Sequence, residues 1–282
     1  MTVYVVTLQC IDQPGIVLAT SSAIVGVGGN ILENDQFTDP VTSQFCMRTR
    51  FETGSDEIEA VRTLLSLALA PFAPELSLRR EGTRRRALVM VSQYDHCLAE
   101  LLYRRDSGDL PLDIVAIVSN HPHCGELAQR YAVPYYEIPV TPETKANAED
   151  QVRSLLERFN VDFVILARYM QVLSAGLCAD LAGRAVNIHH SFLPGFKGAR
   201  PYHQAYERGV KLIGATAHFV TADLDEGPII EQDVVRVTHA RRPEDLVTLG
   251  RDVERNVLAR AARLLAEDRV ALVGQRTVVF SQ

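Results

Sequence analysis

Ala185-Val186-Asn187-Ile188-His189-His190-Ser191-Phe192-Leu193-Pro194 begins as a short apolar burst and ends in a polar cluster closed by proline. Residues 185–189 of this stretch suit a central strand of a parallel sheet, covered on both faces. Residues 87–92, 113–119 and 162–167 have the same apolar character. Helical spacing fits between such bursts, as at 141–159, and again at 243–268. That alternation predicts an open, mostly parallel, Rossmann-like α/β sheet with helices on both faces. Such sheets bind ligands beyond the carboxyl ends of their strands. Asn187 and His189, two apart on one strand, project together into that region.

The chain upstream has a different rhythm. Residues 3–8 are a β-branched run, and Ile11-Asp12-Gln13-Pro14-Gly15 reads as a turn. Asp12 serves there as an N-cap, with Pro14 near the start of a helix over 16–25. Strands over 30–37 and 43–51, a helix over 56–69 and a short strand over 75–79 complete a βαββαβ order. This order predicts a compact sheet with two helices on one face. The run Arg79-Arg80-Glu81-Gly82-Thr83-Arg84-Arg85-Arg86 reads as a charged, solvated linker. The expected domains are therefore residues 1–83 and 84–282.

Composition narrows the class of protein. The chain has 282 residues, of which 47% are hydrophobic, enough for two cores. A net charge of −6 argues against a nucleic-acid partner, which needs a basic face to displace counterions from phosphates. The five cysteines, Cys10, Cys46, Cys97, Cys124 and Cys178, are odd in number and form no CxxC pair, which fits reduced thiols. Met1-Thr2-Val3-Tyr4 leads into a strand without a basic leader, and no apolar run is long enough for a bilayer. The expectation is a cytoplasmic protein without a membrane partner.

Asn187 offers a neutral donor and His189 a nitrogen that titrates near physiological pH. Together they suit acyl transfer, one stabilising an oxyanion and the other moving protons. By spacing alone the pair reads first as two polar groups satisfied by backbone at a strand end. A second cluster is Ala217-His218-Phe219-Val220-Thr221-Ala222-Asp223-Leu224-Asp225-Glu226-Gly227-Pro228. If its acidic turn folds back, Asp225 orients His189 and favours its charged form. His218 reads as a hydrogen-bonding support for the site.

Three other features point elsewhere. Gly26-Val27-Gly28-Gly29 follows a helix instead of joining a strand to one, so a dinucleotide-binding reading fails. His121, His123 and Cys124 lack the organised partners that zinc needs, and no metal is expected. Ser191 has no Gly-x-Ser-x-Gly elbow to make it a nucleophile.

Asn187-Ile188-His189-x-Ser191-x-Leu193-Pro194, followed by His218 and Leu224-Asp225-x-Gly227-Pro228, resembles the signature of folate-dependent formyltransferases. Leu166-Ala167-Arg168-Tyr169-Met170-Gln171-Val172-Leu173-Ser174 is similar to the same family's pterin-binding strand and loop. The resemblance implies catalytic roles for Asn187, His189 and Asp225. It also implies that Met170, Gln171, Val172 and Leu173 line a pterin pocket, with His218 beside the substrate.

The family's nucleotide-type transferases cradle a phosphate on a glycine-rich loop after the first strand. Here that loop is Ser92-Gln93-Tyr94-Asp95-His96-Cys97-Leu98, without glycine and with a carboxylate that repels phosphate. With residues 119–123 and the N-terminal domain, this loop resembles formyltetrahydrofolate deformylases. The likeness implies hydrolysis of 10-formyltetrahydrofolate by water, in one-carbon and purine metabolism, with the folate as substrate and no cofactor. Whether His189 or Asp225 takes the water proton is left open. A formyltransferase with a small acceptor and a non-catalytic folate sensor are the alternatives. Asp12-x-Pro14-Gly15-Ile16 resembles the turn of an ACT domain. That likeness implies an effector, such as an amino acid, at Asp12 and Gly15, or a homo-oligomer (dimer or tetramer).

Overall fold

The computed structural model describes residues 1–195 and 201–280. It divides into two units, Met1–Thr83 with Glu267–Gln282, and Arg84–Ala266.

The first unit runs β1 (Thr2–Ile11), α1 (Ile16–Gly26), β2 (Asn30–Thr38), β3 (Gln44–Thr53), α2 (Ile58–Leu69) and β4 (Glu75–Arg80). Its strands form an antiparallel sheet in the order β2-β3-β1-β4. Alternate side chains, Tyr4, Val6 and Leu8 on β1 and Met47 and Phe51 on β3, are buried with Ile16 and Ile24 of α1 and Leu65 and Leu69 of α2. Asp12 does not cap α1. Gly15 occupies the N-cap at φ 105, a conformation suited to glycine, and the Asp12 carboxylate accepts a hydrogen bond from Thr38 Oγ1 at 3.1 Å.

The second unit begins with β5 (Arg85–Val91), α3 (His96–Ser107), β6 (Leu112–Ser119), α4 (Gly125–Arg130), β7 (Tyr135–Glu137) and α5 (Lys145–Arg158). It continues through β8 (Phe163–Leu166), α6 (Ala175–Asp180), β9 (Ala185–His189), α7 (Pro201–Glu207), β10 (Leu212–Phe219), β11 (Ile229–Arg236) and α8 (Pro243–Ala266). The seven strands lie in the order β11-β10-β9-β8-β5-β6-β7. Pairing is parallel from β9 to β7, while β10 and β11 are antiparallel additions. The chain leaves β5 toward β6 on one side and returns as β8 on the other. That switch point opens a crevice at the carboxyl ends of β5 and β8, beside β9.

Two expectations change. Arg79 and Arg80 belong to β4 and Arg85 and Arg86 to β5, so only residues 81–84 of the expected linker lie outside strands. The arginines are held by carboxylates, Arg79 by Asp268 at 2.6 Å and Arg86 by Asp113 at 3.3 Å. Residues 267–282 also leave the second domain. Their hairpin, β12 (Val270–Val273) and β13 (Arg276–Val279), packs Val273 and Phe280 with Cys46 of the first sheet. Arg48, two residues on from Cys46, donates to the Glu267 carbonyl oxygen at 3.2 Å and pairs with Glu33 at 2.9 Å.

Candidate active site

Asn187 and His189 end β9, and both line a cavity of about 460 Å³. The antiparallel β10 sets His218 opposite Asn187 and Thr216 opposite His189. The loop after β10 brings back Asp225, whose Oδ1 lies 3.1 Å from His189 Nδ1. Burial alone would raise the Asp225 pKa. The hydrogen bond from His189 and the imidazoles around it outweigh burial and hold the carboxyl below its ordinary 3.8. Asp225 is thus held as the carboxylate. With His189 Nδ1–H donating to it, Nε2 of the neutral ring carries the lone pair; that atom is buried and, among the described residues, has no hydrogen-bond partner.

His218 fixes the other half of the site. Burial lowers its pKa, so the ring is neutral. Nδ1–H donates to the Phe219 carbonyl oxygen at 2.8 Å, which leaves Nε2 to accept from Asn187 Nδ2 at 3.2 Å. One amide hydrogen of Asn187 is engaged there and the second remains for a ligand oxygen. His218 itself is not on the cavity wall; it acts on the site through Asn187.

Met170, Gln171 and Val172, in the loop after β8, line the same cavity, and the Met170 N–H donates to Ser92 Oγ at 2.9 Å. Leu173 turns away to pack on the core around Leu177 and Val152. Ser191 donates its hydroxyl to the Gly195 carbonyl oxygen at 2.9 Å and is buried, which leaves it no role as a nucleophile.

The far wall contains groups that the sequence reading did not single out. Glu254 of α8 is 1% exposed. Its Oε1 accepts from Tyr202 Oη at 2.6 Å, its Oε2 lies 2.9 Å from His96 Nε2, and Arg168 Nε stands 3.5 Å away. Burial would raise the Glu254 pKa, yet the His96 hydrogen bond and the Arg168 charge lower it. A signal existed: Glu254 falls on the buried stripe of α8 with Leu246, Gly250 and Val257, where a lone carboxylate is out of place. His96, Cys97 and Glu254 offer ligand atoms within 4.8 Å of one another, a possible metal set. The engaged carboxylate oxygens and the adjacent guanidinium oppose a cation there.

A second cavity of about 520 Å³ adjoins the first, sharing Tyr94, His96 and Arg251 with it. Gln93, Asp95, His121, Pro122 and His123 complete its lining, so His121 and His123 face a cavity. Cys124 is buried against the Ser92 carbonyl.

Residues 85–262 match the formyl transferase family. Formyltetrahydrofolate deformylase from Corynebacterium sp. (strain P-1) is 46% identical, over 98% of this chain and 98% of its own. This chain belongs to the formyltetrahydrofolate deformylase family. The crystal structure of the family member from Burkholderia mallei superposes with a TM-score of 0.96 at 48% identity, covering 100% of both chains. Glycinamide ribonucleotide transformylase 1 from Symbiobacterium toebii matches at a TM-score of 0.67 and 31% identity, over 73% of this chain and 98% of its own. The deformylase family therefore shares a fold with transferases, as the signature around Asn187, His189 and Asp225 implies.

Proposed function

We propose that the chain hydrolyses 10-formyltetrahydrofolate to formate and tetrahydrofolate. The observation that carries this reading is the meeting of Asn187, His189 and Asp225 on one cavity, with His189 Nε2 unpartnered. Water attacks the formyl carbon and passes a proton to that nitrogen, while Asp225 balances the imidazolium. His189 and Asp225 thus act as one acceptor, with the proton residing on the ring. The developing oxyanion takes the remaining amide hydrogen of Asn187, which His218 holds in place. The same Nε2–H then protonates N10 as the carbon–nitrogen bond breaks. Met170, Gln171 and Val172 hold the pterin. The chemistry moves protons and no electrons, so the folate is a substrate and the residues named suffice.

Release of formate from 10-formyltetrahydrofolate with no acceptor present tests this reading. Tetrahydrofolate formed only after a second substrate is added, with the formyl group carried off on that substrate and no formate released, favours a formyltransferase, for which the adjoining cavity leaves room. Folate binding without turnover under either condition favours a sensor.

The βαββαβ unit serves, in this reading, as an ACT-like module that forms a homo-oligomer (dimer or tetramer) and takes a small effector at Asp12 and Gly15. An Asp12→Ala variant with unaltered assembly and unaltered response to amino acids rejects that role. A cytoplasmic location fits the five unpaired, buried cysteines. Among the described residues, no helix is long and apolar enough to cross a membrane.

A further inference from the structure

Arg168 lines the catalytic cavity, yet the proton transfers above make no use of it. Its backbone sits at φ 64, a left-handed conformation that costs energy for a side chain of this size. Its side chain is 10% exposed. Nε and Nη1 are both buried, and among the described residues neither makes a hydrogen bond. Glu254 stands as an ion-pair partner 3.5 Å from Nε but accepts no hydrogen bond from the guanidinium, while Tyr202 and His96 bond to its two oxygens. A charged guanidinium with two unmet donors, held by a strained backbone against a cavity, is a site waiting for an acceptor.

The hydrolysis supplies one. The substrate's formamide is neutral. Breaking its carbon–nitrogen bond and forming a carbon–oxygen bond yields N10–H and formic acid, which gives up its proton near neutral pH. A full negative charge then appears in a cavity already lined by Asp225 and Glu254, both held ionised by their neighbours. A planar carboxylate matches the guanidinium fork. Arg251, the other arginine on the wall among the described residues, is exposed to water, which competes for the same anion.

We propose that Arg168 forms the product subsite, binding the carboxylate of formate beside His189 as the carbon–nitrogen bond is lost. The proposal rests on the hydrolytic reading. Tyr94, 45% exposed with its ring centre 5.4 Å from the Arg168 guanidinium carbon, is the cover that yields to the anion. Release of formate by the same route resets the site for the next water.

The test uses the full chain and sodium formate, with equal sodium chloride as control. Formate is expected to inhibit turnover and, with no folate present, to raise the melting temperature above that in chloride. Arg168→Gln is expected to abolish both effects. Arg168→Lys, which keeps the charge and loses the fork, is expected to weaken formate about tenfold. Inhibition unchanged in Arg168→Gln overturns the proposal. So does a raised KM for the folate with formate inhibition intact, which would assign the arginine to a carboxylate of the substrate itself. If Arg168→Gln does not fold, Tyr94→Ala takes its place: uncovering the fork should strengthen formate inhibition, and unchanged inhibition overturns the subsite. A wild type that hydrolyses folate but ignores formate loses the subsite and keeps the reaction. One with no acceptor-free turnover loses the hydrolytic reading, whatever formate does to its melting temperature.

Discussion

A Cβ at Gly227 would fall 1.7 Å from the carbonyl oxygen of Phe219. The loop carrying Asp225 therefore lies on the end of β10 at a distance that only glycine permits, pinned by the Phe219 N–H to Pro228 carbonyl bond at 2.8 Å. That closeness sets Asp225 against His189. Gly227→Ala must lift the loop, and a displacement of about 1 Å at a reacting group costs roughly 100-fold in rate. Acceptor-free turnover should fall by at least about that factor, with the remaining fold intact by circular dichroism. Turnover within a few-fold of wild type would mean that the loop does not position Asp225.

Asp225→Asn tests the charge directly. The amide keeps the shape of the carboxylate, so folding and folate binding should persist. Without the anion, His189 loses its tautomer preference and the imidazolium loses its counter-charge. A loss of about 10³–10⁴ in kcat is expected, with KM nearly unchanged. Rates measured under saturating folate check this, and near-normal kcat would remove Asp225 from the proton path.

The C-terminal hairpin makes a separate prediction about the first unit. Cys46 is fully buried between the sheet and Val273 and Phe280. Truncation after Ala266 should uncover this thiol, and a thiol reagent under native conditions should then label Cys46 where the intact chain resists. A protected Cys46 in the truncated chain would show that the hairpin does not cover the sheet.

What could be read from the sequence followed from local pattern. Apolar bursts of a few residues gave the parallel strands, and the two-residue spacing of Asn187 and His189 put both on the cavity. The return of Asp225 came from a resemblance, since no local rule says that a loop 36 residues beyond His189 will fold back on it. The hairpin was hidden for a related reason: 267–282 follow α8 directly, and chain order assigns them to the neighbouring domain. Arg48 and Cys46, two apart on a strand, hinted that the sheet's second face needed cover. Arg168 is not legible from its neighbours in sequence, because its place follows from a positive φ and from a cavity whose wall includes Glu254, 86 residues further along.

His190 makes the folded state sensitive to acid. Burial, helped by the Arg168 charge, pulls its pKa from the ordinary 6.5 down to about 3, and burial lowers His218 as well. Each ring is neutral when folded, whereas the unfolded chain binds a proton on each below pH 6.5. The stability from keeping them neutral is complete above pH 6.5 and declines as pH falls toward the folded pKa, by about 1.4 kcal/mol per pH unit for His190 and in the same direction for His218. The lowered carboxyls, Asp225 and Glu254, lose their contribution in the same direction. Their decline is confined to pH values below their ordinary 3.8 and 4.5. Between pH 6.5 and 4.5 His190 therefore contributes a steady slope, and His218 acts in the same direction. His190→Gln removes one of them, and the slope of unfolding free energy against pH in that window should fall by about one proton's worth. Urea titrations at half-unit pH intervals measure it, and parallel curves for variant and wild type would show that His190 is not held neutral in the folded protein.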